Sequence, residues 1–383
     1  MTVGVAVIGC TGSVGASVME VCRRYPDEFS VIALAANSDM KKMGPLVQEF
    51  RPALAAMAGL SGKTSLPRGR TTRWSFGPQS LMEVVDHPDV SHVVVASSGT
   101  DGIPALQAAL IAGKDVSLAN KESVVVAGPW VLPEAAPGQI RPLDSEHNAI
   151  WQCLLGEDIA AVDHVAVTAS GGPFRETPLE ELALVTPEMA VAHPVWSMGD
   201  KISVDSATMI NKGIEIVEAM RLFDLPHDRV RGYIHPGSSI HGLVRFIDGT
   251  VKLLMAPPDM KLAALSALGY PKRVPLAPLG ISPLDLDGAD LSFRSPDRNR
   301  YPGYYLCLEV AKAGGSYPTV LVGADEVAVL AFLRGVIPFT HIWRTVASVL
   351  ERFDGRRASS LEDELSILDW ARREARSICV LEE

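Results

Sequence analysis

Residues 3–15 read Val-Gly-Val-Ala-Val-Ile-Gly-Cys-Thr-Gly-Ser-Val-Gly. The first six form an apolar run of strand length, glycines follow at positions 9, 12 and 15, and a helical spacing of apolar residues continues through Val18, Val21 and Cys22. A strand, a glycine-rich turn and a helix in that order open a parallel α/β fold. The amides of such a turn, with the helix dipole behind them, can hold a pyrophosphate, so the turn is a candidate dinucleotide site. Its G-x-x-G-x-x-G spacing differs from the commoner G-x-G-x-x-G, and a turn rich in glycine can also be no more than a tight turn.

The alternation continues beyond this stretch. Strands are expected over residues 30–36, 53–57, 92–96 and 115–119, and helices over 40–50, 103–112 and from about Glu122. This predicts an N-terminal Rossmann-like doubly wound domain over residues 1–144. From there the texture changes to strands at 165–168 and 230–234, a loop-like stretch at 193–201 and a helical one from about Asn211. The expected unit is a central α+β catalytic domain over 145–270, with a flap at 193–201. Residues 271–300, with scattered prolines and aspartates, read as a linker. Helical spacing at 304–313, 324–333, 342–353 and 361–378 predicts a small C-terminal helical domain over 301–383.

A chain of 383 residues exceeds what one hydrophobic core usually serves. Its net charge of −10 would repel phosphate backbones, which excludes nucleic acid as a natural partner. A small phosphorylated substrate would have to be held by local donors. No run of 18 apolar residues predicts a membrane span, and five scattered cysteines without CxxC spacing fit a reducing cytoplasm.

Several residues carry chemistry. Asn37, Ser38 and Asp39 follow the second strand, where folds of this type meet the adenosine ribose; an acid there favours NAD if it faces the ribose and says nothing if it faces solvent. Asp144 and Glu146 stand at an expected strand end and Glu215 on a helical stretch. Three oxygen ligands suit Mg²⁺ or Mn²⁺, although a D-x-E pair is more often solvated surface. Ser170 with Gly171 and Gly172, and Ser206, Asn211 and Lys212, can donate to a phosphate or serve as turn and capping groups. His193, Trp196, Met198 and Gly199 lie in an irregular segment able to act as a lid.

Taken together, GCTGSVG (9–15), LANKES (118–123), PLDSEHNAIWQ (142–152), ASGGPFRET (169–177), HPVWSMGDKISVDSATMINKGIEIVEA (193–219) and IHPGSSIHGLVRF (234–246) resemble, in order and spacing, the motifs of 1-deoxy-D-xylulose 5-phosphate reductoisomerases. The resemblance implies a V-shaped three-domain homodimer that uses NADPH and a divalent metal in isoprenoid precursor biosynthesis by the non-mevalonate pathway. It implies Asp144, Glu146 and Glu215 as metal ligands and Ser170, Ser206, Asn211 and Lys212 as phosphate donors. Ser145, Lys121, His193, Trp196 and His241 would meet the substrate, with Glu146, His193 and Lys121 as candidate catalytic groups. Thr11, Gly12, Ser13, Val14, Asn120, Glu122 and Gly199 would line the cofactor site, beside Asn37 and Ser38. Val195, Asp200, Gly237, the residues after Met260 (Lys261, Leu262 and Ala263), the stretch 321–326, and Asn37 and Asp39 depart from the family pattern, which leaves a related phosphate or phosphonate open as substrate. A catalytically silent dinucleotide-binding regulator would be expected to lose metal ligands, and all three candidates are present.

Overall fold

The computed structural model describes residues 2–61, 71–192 and 199–381. The chain divides into two compact units, the first made of Met1–Ser123, Val131–Trp151 and Asp259–Pro283, the second of Val124–Trp130, Gln152–Pro258 and Leu284–Glu383.

In the first unit the chain alternates strand and helix. It runs β1 (Val3–Ile8), α1 (Ser13–Arg24), β2 (Phe29–Ala36), α2 (Met40–Phe50), β3 (Leu54–Met57), β4 (Arg73–Phe76), α3 (Ser80–Asp86), β5 (His92–Val95), α4 (Ile103–Ile111), β6 (Asp115–Leu118), the start of α5 (Lys121–Val125), β7 (Ile140–Pro142) and most of α7 (Ser145–Leu154), while α6 (Gly128–Val131) falls almost wholly in the second unit. The seven strands form one sheet in the order β4-β3-β2-β1-β5-β6-β7. Every pairing is parallel, with Val7 beside Leu34 on one edge of β1 and Val94 on the other. A parallel sheet covered on both faces needs continuously apolar strands, and Val5, Ala6, Val7, Val93, Val94 and Val95 are all fully buried. The strand order reverses direction between β1 and β5, and in open α/β sheets ligands bind beyond the carboxyl ends of strands at such a point.

In the second unit β8 (Val162–Ala169) leads to α8 (Pro187–Val191), α9 (Asp200–Thr208) and α10 (Ile210–Leu222), then β9 (Val230–Ile234), β10 (Ile240–Phe246) and β11 (Val251–Met255). Its four-stranded sheet has the order β11-β10-β8-β9, antiparallel except for the β8–β9 pair. Four helices complete it: α12 (Pro302–Ala313), α13 (Tyr317–Leu333), α14 (His341–Arg352) and α15 (Leu361–Leu381). Among them, α13 is buried along most of its length.

Three differences from the sequence reading have physical causes. Residues 145–151 and α11 (Met260–Gly269) belong to the first unit, not to a domain spanning 145–270. Ala264, Leu265, Ala267 and Leu268 of α11 bury into the same core as Val18 and Met19 of α1. Full burial contributes about 1.5–3 kcal/mol per large apolar side chain, enough to hold a helix that leaves its sequence neighbours. The segment at 193–201 is helical from Asp200 onward, with that acid in the first turn where the dipole favours it. The C-terminal helices cluster with the second sheet rather than standing apart.

Candidate active site

The glycine turn is built as the dinucleotide reading requires. Gly9 has φ +88, a conformation that suits glycine, and a Cβ on Gly15 would lie 2.1 Å from the Gly9 carbonyl oxygen. Gly12 is the N-cap of α1 and makes no side-chain cap, so the first amides of the helix carry no capping side chain. Gly12 and Ser13 are exposed there, Thr11 and Val14 half-buried. Asn37 and Ser38, at the carboxyl end of β2, are exposed as well. Asp39 is the N-cap of α2, its carboxylate accepting from the Lys42 amide at 3.0 Å. The structure therefore gives this acid a helix-capping task. Asn120 is buried after β6: its side-chain amide donates to the Ser97 and Gly99 carbonyls at 2.7 and 2.8 Å and accepts from the Ser123 amide at 2.5 Å. It fixes the loop after β5 against the helix that bears Lys121 and the half-buried Glu122.

Asp144 follows β7, at the same end of the sheet. Its Oδ2 accepts from Lys121 Nζ at 2.9 Å, and its Oδ1 accepts from the Glu146 amide at 3.2 Å and lies 3.1 Å from His147 Nδ1. Glu146 lies in the first turn of α7 and its Oε2 accepts from Ser145 Oγ at 2.7 Å. A carboxylate oxygen of Asp144 and one of Glu146 lie within 4.8 Å of each other, close enough to share one cation. Arg141, two residues before Leu143 on β7, donates to the Ala267 carbonyl at 3.0 Å and stacks on the Tyr270 ring, its guanidinium carbon 5.1 Å from the centroid. Beside it His92 hydrogen-bonds Ser117 Oγ at 2.7 Å. Burial, reinforced by the Arg141 charge, pushes the His92 imidazole down to about 3.

In the second unit the donors gather around two turns. Gly171 and Gly172 have φ +86 and +70, and the Gly172 amide donates to Ser170 Oγ at 3.1 Å. Successive residues of this kind turn amides toward a common concavity that suits anions. Arg175 donates to the Ser170 carbonyl at 2.6 Å and Tyr301 to that of Gly171 at 2.8 Å, holding the turn from behind. A Cβ on Gly172 would come 2.8 Å from the Ser206 carbonyl, so the turn packs closely on the last turn of α9. Met209 in the left-handed region, φ 61, then starts α10. There Asn211 donates to Glu215 Oε1 at 2.5 Å and Lys212 Nζ to Glu215 Oε2, with Lys212 and Glu215 both buried. His241 is buried in β10, its Nε2 3.1 Å from the Ala256 carbonyl oxygen. Gly199 is the N-cap of α9. His193 and Trp196 lie outside the described residues.

Sequence reading missed Arg175 and Tyr301 as supports of the Gly171–Gly172 turn. Arg175 stands inside a quoted motif, but Tyr301, 130 positions away from Gly171, leaves no local signal.

Comparison with known proteins covers nearly all of the chain. Family profiles described as 1-deoxy-D-xylulose 5-phosphate reductoisomerase, and as the C-terminal domains of that enzyme, match residues 5–128, 140–223 and 255–374. The chain is 46% identical to the 1-deoxy-D-xylulose 5-phosphate reductoisomerase of Thermomicrobium roseum, over 99% of this chain and 98% of that one. It is 42% identical to that of Acidithiobacillus ferrooxidans, over 98% and 97%. Among solved structures, the Zymomonas mobilis enzyme in complex with NADPH superposes with a TM-score of 0.90 at 37% identity, covering 99% of each chain. A reductoisomerase in complex with NADPH, fosmidomycin and magnesium gives 0.87 at 34% identity, covering 99% of this chain and 98% of that one.

Proposed function

Because the chain belongs to the 1-deoxy-D-xylulose 5-phosphate reductoisomerase family, we propose that it converts 1-deoxy-D-xylulose 5-phosphate and NADPH to 2-C-methyl-D-erythritol 4-phosphate with a divalent metal. The observation that carries the reading is the setting of its acids. Asp144 pairs with Lys121 and lies close to Glu146, and Glu215 sits between Asn211 and Lys212. Acids with amine and amide neighbours at strand and helix ends suit a site that handles charged oxygens.

The donor set fits a hard cation. Asp144, Glu146 and Glu215 offer carboxylate oxygen only, which Mg²⁺ or Mn²⁺ accepts and zinc does not prefer. A cation held by these carboxylates would supply Lewis-acid polarisation of substrate oxygen. Ser170, Ser206, Asn211 and Lys212 hold the substrate phosphate away from the reacting carbons, so that its binding energy orients the carbon skeleton. Ser145, Lys121 and His241 meet the sugar, and the family resemblance assigns His193 and Trp196, which lie outside the described residues, to the same substrate. Thr11, Gly12, Ser13 and Val14 receive the NADPH pyrophosphate, with Asn37, Ser38, Asn120, Glu122 and Gly199 completing that site. Bound NADPH would supply the hydride for the reductive half of the reaction, with one proton needed beside it.

Among the described residues no helix is long and apolar enough to cross a membrane. Five cysteines, all buried and none in a disulfide, support a cytoplasmic location. β11 ends the second sheet with Val251 and Leu253 exposed, an edge suited to a second copy of the chain in a homodimer.

The test is NADPH consumption with 1-deoxy-D-xylulose 5-phosphate, with and without Mg²⁺ or Mn²⁺, and identification of the product by phosphorus NMR. Metal-dependent formation of 2-C-methyl-D-erythritol 4-phosphate is expected. Folded, cofactor-binding protein that leaves this substrate untouched would overturn the proposal.

A further inference from the structure

Helix α9 carries Ser206, and its N-terminus, at Gly199, has no side-chain cap. The helix stops at Met209 in a left-handed conformation. Lys201 in its first turn places a cation where the helix dipole disfavours one. Two carboxylates answer it: Lys201 Nζ lies 2.7 Å from Asp205 Oδ2, four residues on, and 2.7 Å from Asp325 Oδ2 in the middle of α13. The Asp325 side chain is 0% exposed and that of Asp205 5%. Asp325 Oδ1 is buried with no hydrogen-bond partner among the described residues, so this carboxylate depends on Lys201 through its other oxygen. A buried carboxylate that loses its one cation is left uncompensated, which is costly and makes the link between α9 and α13 stiff. Burial alone would pull the Lys201 ammonium down, but Asp205 and Asp325 outweigh it and raise it well above the ordinary lysine range.

What the link holds in place is chemical. Ser206 follows Asp205 directly, and its carbonyl is the atom against which Gly172 packs without room for a Cβ. Any slide of α9 along its axis therefore shifts Ser206 against the Gly171–Gly172 turn. On the next helix, Cys307 of α12 packs so close to Gly213 that a Cβ there would lie 2.6 Å from its sulfur, and its Sγ is 3.9 Å from the Ile210 carbonyl oxygen. Burial, then the nearby Asp325 and Asp205, push the Cys307 thiol well up. The ion group thus stands behind the first turn of α10, which bears Asn211 and Lys212.

We infer that Lys201, Asp205 and Asp325 form an internal ion triad that sets α9 in register, making Lys201 and Asp325 positioning residues for the phosphate donors. The inference rests on the proposed role of Ser206, Asn211 and Lys212 in holding the substrate phosphate.

The experiment measures binding of inorganic phosphate by calorimetry to the full chain with NADPH present, for wild type, Ser206→Ala, Asp325→Ala and Lys201→Met. NADPH affinity and thermal melting are followed in each variant. Ser206→Ala and Asp325→Ala are each expected to weaken phosphate about tenfold, with NADPH affinity held within about twofold. Lys201→Met should act in the same direction, and combined with Asp325→Ala should cost less than the product of the two single effects, since both break one group. Where Asp325→Ala fails to melt cooperatively, Asp325→Asn, which keeps an acceptor for Lys201, is expected to weaken phosphate about threefold. If Ser206→Ala weakens phosphate and a cooperatively melting Asp325 variant does not, the triad has no positioning role. If Ser206→Ala itself leaves phosphate binding unchanged, the phosphate assignment falls and takes the triad with it.

Discussion

Glu215 is buried, with Asn211 and Lys212 donating to its two oxygens. Glutamine in its place keeps the volume but loses one acceptor oxygen and the charge. Glu215→Gln is expected to lower kcat at least about 100-fold while the far-ultraviolet circular dichroism stays unchanged, because losing a metal-site residue usually costs on that order. Turnover within a few-fold of wild type would remove Glu215 from the ligand set. His92 gives a pH effect with a definite sign. Its folded pKa is pushed down to about 3, against an ordinary value near 6.5. Above the ordinary value neither state binds the proton and His92 contributes no pH dependence. As pH falls from about 6.5 toward 3 the unfolded chain takes up a proton that the folded chain refuses, and stability drops by up to about 1.4 kcal/mol per pH unit. Urea midpoints between pH 7 and 4 should fall less steeply in His92→Gln than in wild type. Parallel slopes would show that His92 is not a source of the acid sensitivity.

At the scale of elements, the glycine turn separates packing from binding. A Cβ on Gly15 meets the Gly9 carbonyl at 2.1 Å, whereas one on Gly12 meets it at 3.4 Å, an ordinary contact. Gly15→Ala should therefore destabilise the first unit by about 1–3 kcal/mol, and Gly12→Ala by under about 0.5 kcal/mol. Gly12→Ala should still raise the NADPH Kd about tenfold if the pyrophosphate approaches the backbone there; an unchanged Kd would move the cofactor elsewhere. Elements of this kind were legible. The strand at 3–8 and the helix at 40–50 have the expected bounds, since the period of their apolar residues matches the element that buries them. Others left little local signal. In α9 the residues Ile-Ser-Val-Asp-Ser-Ala-Thr mix β-branched and short polar side chains, which favour helix weakly. Its break from α10 falls on Met209, where a glycine would have marked the left-handed turn. The strand β11 is short and exposed, and α11 finds its partner α1 across more than 200 positions, a long-range contact that no local window registers. The candidate site followed the same division: the residue types of Asp144, Glu146, Lys212 and Glu215 marked them, whereas Tyr301 and Asp325 matter through contacts that only folding creates.

At the scale of the whole molecule, a homodimer should elute at about twice the chain mass of 41.0 kDa. Leu253→Lys, which adds a charge to the exposed edge strand, should shift the population toward monomer. An unshifted elution profile would place the dimer contact elsewhere. The cysteines have a consequence of another sort. All five are buried and none is in a disulfide, and burial pushes Cys10 and Cys22 up to about 12 and Cys153 up to about 11. Thiolate is the reactive form, so the folded protein should ignore maleimide at neutral pH and take up five labels only when denatured. The native chain is in effect blank to thiol reagents. One cysteine introduced at an exposed position such as Ser38 would then be its sole reactive handle, and a fluorophore attached there could watch a nucleotide arrive without any native cysteine having to be removed first.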